Sequence, residues 1–327
     1  MRILVTGAGG FIGGHLAQRL QELGNEVVCV DVKPFSDWYQ LSGQNQNHVA
    51  DLGLLDNAIR YTEGVQHVYN LAADMGGMGF IENNKAKCME SVLINTHLLQ
   101  ASVKNGVNRF FFSSTACVYA SFHQNSLDIL PLKESDAYPA DPEDGYGWEK
   151  LFSERMCRHF QEDYGLETRV ARYHNVYGPY GTFSGGREKV PAAACRKIIE
   201  AIQSGSHQVE IWGDGRQLRS FTHISDCIDG TLHLMDSNFS NPLNIGSSEM
   251  ISINDVYRSI IETNDLARFN IQFTYNLGAP QGVRGRSSDN TKCREVLNWE
   301  PKTNFTSGIK ETFKWIAREL NFQNVGK

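Results

Sequence analysis

The feature that most constrains this chain is a glycine triplet, Gly7, Gly10 and Gly13, set between a short apolar run at 2–6 and a stretch of helical periodicity at 11–23. Side chains are excluded where a strand must turn sharply into a helix and where main-chain N–H groups must approach a pyrophosphate at the helix N-terminus. The next apolar run, at 26–30, leads into Asp31. At roughly 20 residues past the glycines, a carboxylate accepts hydrogen bonds from ribose hydroxyls and repels a 2′-phosphate. Strand, glycine turn, helix, strand and acid, in that order, predict a Rossmann site that takes NAD rather than NADP. Phe11 and Ile12, at the start of the helix, are counted with the glycines among the residues that line the cofactor. Asp51, followed by Leu52, has two readings: it meets the adenine edge, or it caps the helix that follows.

The alternation continues with strands predicted at 67–71, 109–113 and 168–172, and helices at about 84–105 and at 147–164. Val- and Phe-rich strands alternating with helices predict a parallel sheet covered on both faces. After Asn175 the pattern loosens, with a strand predicted at 209–212 and amphipathic helices at 254–262 and 309–320. A chain of 327 residues suits two lobes. The expected fold is α/β: a doubly wound Rossmann sheet over 1–174 and a smaller C-terminal α/β substrate lobe, mainly 175–327, with the chain crossing between them. The last few residues are expected to fray.

Composition narrows the partners. A net charge of −6 at pH 7 argues against nucleic acid, which requires a basic face. No apolar run approaches the roughly 18 residues of a membrane span. The seven cysteines are scattered without a CxxC pair, so neither a disulfide framework nor a metal site is expected. No targeting segment precedes the first strand, and the expected location is cytoplasmic.

Tyr146 and Lys150 stand four apart at the start of a predicted helix and share one face. An adjacent ammonium favours a phenolate able to take a hydroxyl proton as hydride leaves. Ser113–Ser114–Thr115, at the end of the predicted strand 109–113, offers hydroxyls to the same reacting oxygen. Together with the glycine triplet, Asn70–Leu71–Ala72–Ala73 and Asn244–Ile245–Gly246, these motifs resemble the extended short-chain dehydrogenase/reductase family over nearly the whole chain. The resemblance implies nucleotide-sugar substrates, Ala72 in the cofactor site, and Tyr146, Lys150 and Thr115 in catalysis.

Dehydratases of that family usually carry Asp-Glu after the Thr, where this chain has Ala116 and Cys117. Simple 4-epimerases generally lack a thiol there. Cys117, Met75–Gly79, Gly185–Lys189 and Gly282–Arg286 resemble instead its 3,5-epimerase branch, although Thr115 stands where members of that branch carry serine, and 121–132 and 259–277 match less well. The likeness implies conversion of GDP-mannose to GDP-L-galactose, with Cys117 and Lys189 as the acid/base pair and nearby positive charge lowering the thiol's pKa. It also implies Gly76, Asn175, Glu188, Lys189, Lys197, Gln217, Arg219, Arg284 and Arg286 as substrate contacts, the guanidinium groups suiting a diphosphate. Asn175 equally suits a turn. A homodimer formed through the helices at 84–105 and 147–164 is expected from the family. The alternatives are a 3,5- or 4-epimerase of another nucleotide sugar and, from a different class, a non-catalytic NAD-binding scaffold.

Overall fold

A computed structural model describes residues 1–125 and 130–323. The apolar runs form strands β1 (Arg2–Thr6), β2 (Glu26–Asp31), β3 (Gln46–Val49), β4 (His67–Asn70), β5 (Arg109–Thr115) and β6 (Glu167–Tyr173). All are parallel, and β1, β4, β5 and β6 are almost wholly buried, as strands covered by helices on both faces must be. The order across the sheet is Leu243–Ile245, β6, β5, β4, β1, β2, β3. Connections run outward in opposite directions from β1 and β4, so a crevice opens between their carboxyl ends, the place where such sheets bind ligands.

Helices Phe11–Glu22 and Ile224–Asp236 cover one face, packing Leu16, Leu20, Cys227 and Leu234 on the sheet. Helices Leu55–Thr62, Ser91–Lys104 and Tyr146–Tyr164 cover the other, with Ala58, Leu98, Leu99 and Cys157 inward. The seventh strand and helix Ile224–Asp236 both lie beyond residue 174, so the chain returns to the Rossmann sheet after leaving it. A second core gathers helices Val190–Gln203, Ile253–Thr263 and Phe305–Glu319 against the parallel pair Gln208–Trp212 and Gln272–Asn276. A small sheet of Met250–Ser252, Leu218–Ser220 and Gly285–Arg286 sets Arg219 in register with Arg286.

Two elements depart from the sequence reading. The helix expected over 84–105 is divided at Glu90 into Lys85–Met89 and Ser91–Lys104, with a further helix at Met78–Asn83. At the break the Leu93 N–H bonds only three residues back, to the Glu90 carbonyl, while the buried Ser91 hydroxyl accepts the Asp74 amide at 3.0 Å. The strand expected to end at Ser113 runs on to Thr115 by pairing with β6. Among the described residues no helix is long and apolar enough to cross a membrane. All seven cysteines are free and buried. The final residues 324–327, expected to fray, lie outside the described residues, as do 126–129 of the weakly matching region.

Candidate active site

The glycine turn sits at the crevice. Gly7 has φ +68°, and a Cβ there would lie 2.8 Å from the Leu71 carbonyl group on the segment leaving β4. A Cβ on Gly13 would come within 2.1 Å of the Gly7 carbonyl oxygen, and one on Gly10 within 3.0 Å of it. The chain therefore has no room for side chains where the helix starts, and Phe11 and Ile12 pack beneath it against the sheet. Asp31, buried, accepts the Gly9 and Lys33 amides at 3.0 Å each. Ala72 donates its amide to the Thr6 hydroxyl at 3.3 Å. A cradle without side chains, a helix N-terminus and a fixed acid fit NAD. Asp51 makes a turn with the Gly53 amide at 2.8 Å, two residues before the helix Leu55–Thr62, whose N-cap is Leu54. It thus shapes the entry without capping the helix itself. Leu52 is buried in the core on the β1–β2 side.

β5 delivers the hydroxyls. Ser113 donates to the Asn70 carbonyl at 3.1 Å and Ser114 to the buried Glu154, which pairs with Arg172 at 2.7 Å. Of the three, Thr115 turns towards Cys117 and Tyr146: its hydroxyl accepts the Cys117 amide at 3.3 Å and acts to lower the Tyr146 phenol. Tyr146 opens the helix Tyr146–Tyr164 after Gly145, whose φ of +73° makes the turn. Its first turn lies so close to Cys117 that a Cβ on Gly147 would be 2.4 Å from the Cys117 carbonyl oxygen. Lys150 is buried, its ammonium 4.6 Å from the Phe112 ring centroid, 5.7 Å from that of Tyr146 and 3.7 Å from the Glu149 carboxylate. The Tyr146 phenol is pushed well up, first by burial and then by Cys117 and Glu149.

The expectation that positive charge lowers the Cys117 pKa is corrected. Arg286 lies 3.5 Å from the sulfur and acts in that direction, but burial and the Glu143 carboxylate outweigh it and push the thiol up to about 11. Lys189 immediately precedes the helix Val190–Gln203, within electrostatic reach of Cys117 and Arg286. Burial drives its ammonium below the ordinary lysine range.

The predicted substrate residues divide by how their polar groups are engaged. Arg219 donates to the carbonyls of Leu218, Gln281 and Val283 and, among the described residues, to no carboxylate; burial and Arg286 lower it to about 10. Among the described residues its charge is therefore not taken up by an ion pair. Arg284 donates two parallel hydrogen bonds to Asp214 at 3.0 Å each, and Glu188 is taken up by Arg196 at 3.1 Å and the Gly186 amide. Lys197 donates to the Glu210 carbonyl at 2.8 Å above the exposed Trp212 ring. Gln217 donates to Gln281 at 3.0 Å and leaves its own carbonyl oxygen without a partner. Asn175 takes a left-handed turn, φ +40°, and holds the Ser220 carbonyl at 3.0 Å. Gly76 lies against Phe80 and Arg187, and the neighbouring Gly77 amide donates to the Arg187 carbonyl at 3.0 Å, joining the two lobes across the crevice.

Sequence reasoning missed Glu143 and Gln124, both bound to Arg286, and Trp38, whose indole covers Gly9. Glu143 stands three residues before Tyr146, but nothing in that spacing signals its partner.

This is the architecture of an NAD-dependent epimerase or dehydratase. Residues 3–246 match the NAD dependent epimerase/dehydratase family, and the chain belongs to it. It is 46% identical over 321 residues to GDP-mannose 3,5-epimerase 1 of Oryza sativa subsp. japonica, covering 98% of this chain and 82% of that protein. It is 43% identical to GDP-mannose 3,5-epimerase of Arabidopsis thaliana, over 98% of this chain and 83% of the relative. The crystal structure of UDP-glucose 4-epimerase with UDP-glucose from Thermotoga maritima superposes with a TM-score of 0.87 at 27% identity, covering 98% of this chain and all of the other.

Proposed function

We propose that this enzyme converts GDP-mannose into GDP-L-galactose by inverting C3 and C5. What supports the reading is that Cys117 and Lys189, a candidate acid/base pair, lie within electrostatic reach of each other, with Cys117 in reach of the set Tyr146, Lys150 and Thr115. A 4-epimerase needs only the second set. The full-length likeness to two GDP-mannose 3,5-epimerases supports the same substrate.

NAD, held by Gly7, Gly10, Phe11, Ile12, Gly13, Asp31, Asp51, Leu52 and Ala72, with Tyr146 and Lys150 beside it, supplies when bound the transient oxidation at C4 and its reversal. Tyr146 takes and returns the proton of the C4 hydroxyl, with the Thr115 hydroxyl beside it and Lys150 as the nearby positive charge. A ketone at C4 acidifies the hydrogens at C3 and C5, which ordinary side chains cannot otherwise remove. Cys117 and Lys189 take a proton from one face and return one to the other. The depressed Lys189 ammonium brings that residue closer to neutral chemistry. Arg219 holds the diphosphate, and Gly76, Asn175, Glu188, Lys197, Gln217, Arg284 and Arg286 line the rest of the substrate path.

NAD falls to the unit 1–174 and the nucleotide sugar mainly to 175–327. Two copies pair through the helices Ser91–Lys104 and Tyr146–Tyr164, where Leu93, Trp148 and Phe152 are exposed beside Met89. A cytoplasmic location suits seven unpaired thiols.

Incubation with GDP-mannose in D2O tests the reading: deuterium at C3 and C5 with GDP-L-galactose formed is the expected result. No exchange by folded, NAD-loaded protein discards GDP-mannose as the substrate.

A further inference from the structure

The proposed chemistry uses Cys117 but not the carboxylate beside it. Glu143 reaches the thiol from the segment before helix Tyr146–Tyr164, and its amide donates to the Cys117 carbonyl at 3.0 Å, tying the two backbones together. Arg286 arrives from the strand Gly285–Arg286 in the other lobe. One of its terminal nitrogens lies 3.5 Å from the Cys117 sulfur, and the other forms an ion pair with Glu143 Oε1. Its Nε donates to Gln124 Oε1 at 2.6 Å, which fixes the plane of the fork. The Arg286 and Glu143 side chains are 6% and 14% exposed, so their charges act on each other and on the sulfur with little screening by water. The second carboxylate oxygen of Glu143 is buried without a hydrogen-bond partner. A single guanidinium is therefore divided between a thiol and a carboxylate.

We propose that Glu143 is a positioning residue for Cys117: by pairing with Arg286 at the sulfur it withholds that positive charge from the thiol and so sets how readily Cys117 ionises for proton exchange. The role in exchange rests on the reading of Cys117 as an acid/base residue. The charge balance around the sulfur agrees with the geometry. Burial raises the thiol most, Glu143 raises it further, and Arg286 and the Thr115 hydroxyl oppose them. Burial alone would raise the Glu143 carboxyl, but Arg286 more than offsets that and holds it below the ordinary range. The remaining titratable groups around the pair are Tyr146 on the helix that follows Glu143, Lys189 before helix Val190–Gln203, and Arg219 on the strand beside Arg286.

The test is a pH titration of thiolate ultraviolet absorbance in the NAD-loaded protein, taken as the difference from Cys117→Ala in each background. Glu143→Gln, which keeps the shape and removes the charge, is expected to move the Cys117 midpoint down by about one pH unit, and Glu143→Asp to hold it near the parent value. Arg286→Gln, which leaves Glu143 unopposed, is expected to move it up. A midpoint unchanged or raised in Glu143→Gln overturns the proposal. Should that variant fail to fold, an Arg286→Gln midpoint that does not rise overturns it equally. Deuterium exchange at the sugar is followed in parallel, and its pH profile is expected to shift with the thiol. If the thiol midpoints move as stated but no variant and no parent protein exchanges deuterium, the electrostatic role of Glu143 stands and the assignment of the reaction fails.

Discussion

At the scale of the residue, the site is a contest between burial and charge. Tyr146 and Cys117 are both pushed towards their protonated forms, first by desolvation and then by neighbouring acidic groups, which at Cys117 outweigh Arg286. In the proposed reaction the two serve separable steps, and that separation is measurable. Tyr146→Phe is expected to slow proton exchange at both carbons by about 10²–10⁴-fold, since neither C–H bond is acidic until C4 is oxidised. Cys117→Ala is expected to lose epimerisation while still showing transient nicotinamide reduction when GDP-mannose is added. Normal product formation by Cys117→Ala would remove the thiol from the acid/base pair. The candidate residues Tyr146, Lys150, Thr115, Cys117 and Lys189 stand out in the sequence because each sits in a short motif. Glu143 and Gln124 were not, because what distinguishes them is Arg286, more than a hundred residues away along the chain and brought in from the other lobe.

At the scale of the element, local rules carried far. The glycine turn needs only a strand, a left-handed residue and a helix start, all within thirteen residues, and β1 and the helix Phe11–Glu22 lie where the periodicity puts them. Gly13→Ala tests the tightness of that turn. Its methyl would lie 2.1 Å from the Gly7 carbonyl oxygen, so the main chain must shift. A loss of about 1–3 kcal/mol of stability is expected from overpacking, read by denaturant unfolding, together with a fall in NAD retained on purification. Full NAD occupancy at unchanged stability would mean that the turn is looser than it looks. The stretch 84–105 went the other way. Its helical pattern is continuous in sequence, but Ser91 bonds to the Asp74 amide from the loop after β4, a partner no periodicity reveals.

At the scale of the whole molecule, buried histidines link the fold to pH. His174, fully buried between Tyr119 and Asn244, is depressed to about 3 by desolvation, and burial lowers His15 and His223 too. A lowered folded value means that the unfolded chain binds the extra proton first. The stabilisation is therefore complete above the ordinary histidine value of 6.5 and is lost as pH falls towards about 3. The melting temperature is expected to drop between neutral pH and about pH 5, and less steeply in His174→Gln. An equal drop in both proteins would place the acid sensitivity elsewhere. The proposed dimer makes a separate prediction. Light scattering should give twice the chain mass for the parent protein and the single mass for Trp148→Asp with Phe152→Asp, because charges on that apolar face oppose its burial.

By itself the sequence determined the alternation of strand and helix and the cofactor turn, and it marked out the candidate reacting side chains. These depend on periods of two or 3.6 residues and on motifs a few positions long, so their physics is local. Tertiary structure alone decided which basic residues meet a carboxylate. Arg284 meets Asp214, Arg187 meets Asp74 and Arg196 meets Glu188, whereas among the described residues Arg219 and Lys197 donate only to carbonyls. It also decided that Arg286 stands between Cys117 and Glu143, because electrostatic coupling depends on distance through space and on burial, and neither is written along the chain.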